Sequence, residues 1–317
     1  MLVIAAPGQG AQTPGFLRPW LEFPGVEELI GGWSELIGCD LIRYGTAGDA
    51  DEIRDTAVAQ PLLVAAALAA AGVLGVTSKV TSGIVTGHSV GEIGAGAIGG
   101  VVSREDAMRL VGMRGRAMAE AAAIEPTSMT AVLGGDEAEV LASIERHGLT
   151  PANINGSGQI VAAGTVDQLA RFAADPPPRA KLRPLQVAGA FHTTHMAPAV
   201  EALGEVAATV ETHDPVLTVL SNADGAVVST GADWLRRIVM QVSAPVRWDK
   251  CMAAMQERHA TAFLELPPAG TLTALARRAL PGVTLLALKT PAELDAATTL
   301  LAEHAGSSAD TRTEERQ

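Results

Sequence analysis

Hydrophobic positions along this chain fall in short strand-like runs separated by stretches of helical spacing. Leu2–Ala6 is apolar without alternation, as expected of a strand buried on both faces of a parallel sheet. Further strands are predicted at 83–86, 216–221, 262–266 and 283–288. Helical patterns occupy 20–39, 62–74, 91–99, 103–118, 198–208, 234–241 and 272–279, with Pro61 suited to a first helical turn and Ser103 to an N-cap. Between 126 and 190 the order changes. Strand 129–133, helix 136–147, strands near 153–154 and 159–163, helix 165–174 and strand 181–187 give β-α-β-β-α-β, the ferredoxin-like pattern. Asp175-Pro176-Pro177-Pro178 is a stiff connector within it. The division expected is a core of 1–125 and 191–305, an inserted α+β subdomain at 126–190, and a mobile polar tail at 306–317.

Composition narrows what such a fold can do. The chain has 317 residues, 48% hydrophobic and 18% charged, an ordinary globular balance. Aromatics are only 3%, so the core is built from Ala, Val and Leu, and stacking on nucleic-acid bases is an unfavoured mode of recognition. A net charge of -12 also argues against a non-specific nucleic-acid binder. The longest apolar run, 62–76, is shorter than a bilayer span and contains Gly72 and Gly75; it reads as a buried helix, with no membrane association. The N-terminus has no basic n-region, and Pro7 interrupts the apolar run, so a strand is expected there instead of a signal peptide. Cys39 and Cys251 form no C-x-x-C pair and read as free thiols in a cytoplasmic protein.

The chemistry gathers at Gly87-His88-Ser89-Val90-Gly91-Glu92, between a strand and a helix. A G-x-S-x-G sequence in that context is a nucleophile elbow, with the serine hydroxyl exposed at a tight turn and the following amide ready to receive an oxyanion. Ser89-x-x-Glu92 also fits a capping box, in which both side chains only satisfy helix amides. The Gly-rich turn Pro7 to Gln12 matches no phosphate loop; it is either a simple turn or a close backbone approach to a reacting group. A serine needs a base. Of seven histidines, His192 and His195 fall where the insert rejoins the core, with His192 favoured, while His88 is expected to point away into the sheet. No Asp or Glu stands out as the third member before His192. A carbonyl or amide group is therefore expected to orient it. Arg114 lies on a helix among Met113, Met118 and glycines, with no acid four residues away.

Several motifs together resemble the malonyl-CoA:acyl carrier protein transacylase family, which includes the acyltransferase domains of fatty-acid and polyketide synthases. They are P-G-Q-G-A-Q from Pro7, A-Q-P from Ala59, G-H-S-V-G-E from Gly87, M-R-G-R-A-M from Met113, N-x-x-G-Q-I-V-x-A-G from Asn155, A-F-H from Ala190 and Q-V-S-A-P-V-R-W from Gln241. The resemblance implies an α/β-hydrolase-like core with a parallel sheet and a ferredoxin-like insert. It implies Ser89 as the acylated nucleophile, His192 as its base, and the Gln9 and Val90 amides as the oxyanion hole. Arg114 would pair with the malonyl carboxylate, and the main-chain carbonyl of Gln241 would orient His192. Val90 departs from the Leu common in malonyl enzymes. The expected reaction is ping-pong transfer of malonyl from malonyl-CoA to the phosphopantetheine thiol of acyl carrier protein, by a monomer needing no cofactor or metal. A serine thioesterase or esterase is the alternative. Arg179, Lys181, Arg183, Arg277 and Arg278 are candidates for docking an acidic carrier, against the plainer reading of scattered solvated cations.

Overall fold

The computed structural model describes residues 1–305, so the reading of 306–317 as a mobile tail lies outside the described residues. In chain order the strands are β1 Leu2–Ala6, β2 Ile84–Gly87, β3 Thr127–Gly134, β4 Thr150–Gly156, β5 Gln159–Thr165, β6 Ala180–Pro184, β7 Thr218–Val219, β8 Val246–Arg247, β9 Ala262–Glu265 and β10 Thr284–Ala287. They form two sheets. The first runs β10-β9-β1-β2-β7 and is parallel throughout. Its central strand β1 is buried at every residue, which is why the sequence shows no alternation there. The second runs β6-β3-β5-β4-β8. Its first four strands are antiparallel neighbours in the ferredoxin-like order, with helices Glu137–Arg146 and Val166–Ala174 packed on it. The fold is thus α/β, a parallel-sheet core joined to a smaller α+β unit.

Strand β8 adds something that hydrophobic pattern does not reveal. Val246–Arg247 belongs to the chain after the second sheet is otherwise complete, yet it pairs in parallel with Asn153 and Ile154 of β4. The two sheets therefore share a strand connection as well as two chain crossings.

The central helix is Thr56–Leu74, not a helix opening at Pro61. Asp55 caps it by accepting from the Ala57 amide, so Pro61 lies one turn inside. The helix is long and apolar enough to cross a membrane by length and composition, but it is packed within the protein. Its small Ala-rich faces allow close approach to the Arg104–Ala122 helix, which carries Arg114. Among the described residues four α-helices go unforeseen in the pattern: Leu41–Ala47, the single turn Val76–Lys79, Trp248–Glu257 and Leu294–His304. The predicted strand at 216–221 shrinks to two residues, with Val216 74% exposed.

Candidate active site

The turn from β2 into the Gly91–Ile98 helix is sharp enough that only glycine fits on either side. A Cβ on Gly87 would lie 2.0 Å from the Gly91 carbonyl carbon, and one on Gly91 would lie 2.2 Å from the Ala6 carbonyl oxygen. Between them Ser89 takes φ 54°, a left-handed backbone that a non-glycine residue adopts only under constraint. The constraint is Asn222, just beyond β7. Its Oδ1 accepts from the Ser89 amide at 2.7 Å, and its Nδ2 donates to the Gly87 carbonyl at 2.8 Å. Val90 is the helix N-cap and makes no side-chain cap bond.

Ser89 Oγ is 2.7 Å from His192 Nε2, and His192 Nδ1 is 2.8 Å from the main-chain oxygen of Gln241. A carbonyl only accepts, so Nδ1 carries the proton and Nε2 is free to receive the serine's. His192 also has a left-handed backbone, φ 61°, and its amide donates to the Val242 carbonyl at 3.1 Å. Burial, with the Arg114 charge adding to it, pushes the imidazole down to about 3, so it is neutral around pH 7. His195 is turned elsewhere, its Nδ1 3.1 Å from Glu125.

Arg114 is wholly buried and, among the described residues, has no carboxylate in direct contact. Its Nη1 donates to Gln60 Oε1 at 2.6 Å. Its Nη2 donates to Gln241 Oε1 at 2.9 Å and to Ser89 Oγ at 3.2 Å. Burial lowers its pKa to about 10, against the opposing pull of Glu92, so it remains charged. A buried guanidinium held only by neutral amides and a hydroxyl is an anion receptor, because its charge is otherwise uncompensated at contact distance. Glu92 does not close a capping box. Its Oε2 instead accepts from Gln241 Nε2 at 2.7 Å and from the Asn222 amide at 3.1 Å. His88 also differs from expectation. It borders the cavity, with Nε2 2.9 Å from Asn155 Oδ1 on β4 and its ring edge against Trp248.

Ser89, His192, His88 and Gln60 open on a cavity of about 560 Å³ between the two sheets, bordered also by Gln9, Val90, Met118, Phe191 and Leu275, with Arg114 buried against Ser89 at its floor. Gln9 is fixed by its side chain, which donates to the Arg54 carbonyl at 3.2 Å. Arg278 stands at the cavity wall, with Lys181 and Arg183 exposed on β6 and Arg277 exposed beside Arg278. Arg179 lies 3.8 Å from Glu139. Among the described residues no cluster of His, Cys, Asp and Glu could hold a metal ion. The structure therefore brings Ser89, His192, Arg114 and Gln241 into one hydrogen-bonded group, with Gln9 and Val90 at the same cavity. Sequence reading misses Gln60, Asn222 and the second use of Gln241. Gln60 lies in a motif that is visible in the sequence, whereas Asn222 lies in none.

A serine elbow beside a parallel sheet, an imidazole behind it and a guanidinium in front define an acyl-transferring serine enzyme. The chain belongs to the acyl transferase domain family, whose model matches residues 32–298. Within that family it is similar to the malonyl CoA-acyl carrier protein transacylase of Mycobacterium tuberculosis (strain ATCC 25618 / H37Rv). The two are 51% identical over 298 residues, covering 93% of this chain and 98% of the relative. A crystal structure of that enzyme type from Mycobacterium tuberculosis superposes with a TM-score of 0.92 at 50% identity, covering 94% of this chain and 99% of the other. A malonyl-transacylase solved with its type II polyketide-synthase acyl-carrier protein gives a TM-score of 0.87 at 29% identity, covering 94% and 99%.

Proposed function

We propose that this protein transfers malonyl groups from malonyl-CoA to acyl carrier protein for fatty-acid synthesis, through a malonyl-serine intermediate. The observation that carries this reading is the Arg114 guanidinium 3.2 Å from Ser89 Oγ, buried and, among the described residues, with no carboxylate in direct contact. Malonyl differs from acetyl by one carboxylate, and this is the group that completes the pair.

In the reading, His192 Nε2 takes the Ser89 proton as Oγ attacks the thioester carbonyl. The amides of Gln9 and Val90 receive the oxyanion, and the positive end of the Gly91–Ile98 helix favours it. The tetrahedral intermediate collapses, the C–S bond breaks, and CoA leaves as the thiol with the proton from His192. The phosphopantetheine thiol of the carrier repeats the sequence in reverse and restores free Ser89. Thioester, ester and thioester are close in free energy, so the residues suffice without a cofactor or metal. The reading includes a monomer in the cytoplasm, and both cysteines being free is consistent with that compartment. Service to a polyketide carrier as well as a fatty-acid carrier belongs to the same proposal.

Mass spectrometry after brief mixing with malonyl-CoA tests it. A malonyl adduct on the Ser89 peptide that moves to added phosphopantetheinylated carrier is the expected result. An adduct that ends as free malonate, with the carrier unloaded, would make the protein a thioesterase.

A further inference from the structure

The polar network does not end at Arg114. From the guanidinium it runs through the Gln241 side chain to Glu92, whose carboxylate is 1% exposed. The orientation of that amide is forced at both ends. Its Oε1 must face a donor and its Nε2 an acceptor, so a carboxylate at position 92 fixes which end of Gln241 meets Arg114. One oxygen of Glu92 is satisfied twice, while Oε1 is buried and, among the described residues, makes no hydrogen bond of full geometry, the Ser221 side chain giving the carboxylate only weaker support. Behind it lies a second cavity of about 230 Å³, sharing no lining residue with the first and bordered by Glu92, Ser221, Asp224, Arg236, Arg237 and Gln241. Asp224 and Arg236 are exposed, so this cavity gives the carboxylate a polar approach from the side opposite the substrate.

We infer that Glu92 is the resident counter-anion of Arg114, and that it takes up a proton when the carboxylate of the acyl substrate replaces it in that role. In the empty site the two buried charges cancel through Gln241. A substrate carboxylate brings a second anion into the same low-dielectric space, and one of the two anions must be neutralised. The substrate's is held directly by the guanidinium, so the proton goes to Glu92, drawn from water on the rear side. Glu92 is thus a positioning residue that never touches substrate. Burial already pushes it up to about 7, opposed by the Asn222 amide, the Ser221 and Gln241 side chains and the Arg237 charge, so a further anion acts on a group poised to respond.

The other charged and titratable neighbours do not take this part. Arg237 and Arg236 on the Gly231–Gln241 helix are paired with Asp233, and Arg237 also with Asp224. The Cys251 thiol, on the Trp248–Glu257 helix, is pushed up by burial and by Glu92 itself, and stays neutral. His192 is pushed far down and stays neutral beside the new anion. His88 is engaged with Asn155.

This inference rests on Arg114 receiving malonyl, and its test separates the two. In a Ser89→Ala background, which binds without turnover, malonyl-CoA and acetyl-CoA are compared by calorimetry in buffers of different ionisation enthalpy. Acetyl-CoA carries the same CoA phosphates, so the difference isolates the acyl carboxylate. Malonyl-CoA should take up close to one more proton than acetyl-CoA at about pH 8, falling toward none at about pH 6, where Glu92 is already protonated. Adding Glu92→Gln, whose carbonyl can still accept from Gln241 and Asn222, should abolish that excess. In turning-over enzyme, the malonyl-CoA KM should rise up to about tenfold per pH unit above 7, and Glu92→Gln should flatten the rise. If malonyl-CoA binds no tighter than acetyl-CoA, the role of Arg114 fails and this inference with it. If it binds tighter with an equal proton count, or the excess survives in Glu92→Gln, the inference alone is overturned. The Ser89→Ala measurement decides even where the second substitution impairs folding.

Discussion

At the scale of single residues, charge and protonation decide the chemistry. Arg114→Ala should lower kcat/KM for malonyl-CoA by roughly 10²–10³-fold, the loss expected when one side of a buried pair is removed. Acetyl transfer should fall far less, and equal losses on the two substrates would remove Arg114 from recognition. His192 makes a prediction about stability. Its folded pKa, about 3, lies below the unfolded value of 6.5, so the unfolded chain binds the proton first as pH falls. Stability from this group is full above 6.5 and is lost as pH drops toward 3. Glu92 acts in the opposite direction: raised from 4.5 to about 7, it costs stability as pH rises through that window. Urea unfolding of His192→Gln should therefore lose less stability than the parent between pH 7.5 and about 5, and an unchanged slope would contradict the buried neutral imidazole. Ser89, His192 and Arg114 are legible in the sequence because each belongs to a local motif with a chemical reason. Asn222 is not. Its work is done 133 positions away from Ser89 through two hydrogen bonds, and nothing beside it in the chain marks that. Glu92 is visible but misleading, since its spacing from Ser89 suits a helix cap as well as a charge relay.

At the scale of elements, the elbow depends on contacts that no side chain can replace. Gly91→Ala puts a carbon into the Ala6 carbonyl of β1, so strand and helix would have to separate. The cost should exceed the about 1–3 kcal/mol of ordinary overpacking, seen as a large drop in Tm with loss of Ser89 labelling. A variant that keeps both would show that the turn relaxes. Asn222→Ala should be milder in stability yet severe in rate, because the strained Ser89 backbone loses its tether while the core stays packed. Unbroken apolar runs reveal β1 and β9, and turn chemistry reveals the insert's helices. The Leu41–Ala47 helix goes unseen although Asp40 caps it, because seven residues are too few to show a periodic face. The Trp248–Glu257 helix is hidden for another reason: its first residue falls in a recognisable motif, which draws attention from the pattern that follows.

Across the whole molecule, the cavity at Ser89 lies between two units of different architecture, with Arg278 at its wall and Lys181 and Arg183 exposed on β6. The net charge of -12 makes a local basic surface necessary if the carrier is acidic. Lys181→Glu with Arg183→Glu on β6 should raise the carrier KM several-fold at low salt and weaken its salt dependence. Loading from malonyl-CoA should stay within about twofold. A carrier KM unaffected by both changes would move docking to another face.

The pairing of β8 with β4 bears on how this architecture could be recombined. A designer moving 126–190 into another protein as a cassette would leave Val246–Arg247 behind in the donor. Asn153 and Ile154 would then meet a foreign edge strand, only five residues downstream of the carbonyl that aligns His192. The insert is not a plug-in module. Its boundary in space includes a segment that its boundary in sequence omits, and a working chimera must carry the stretch from Gln241 to Trp248 along with it.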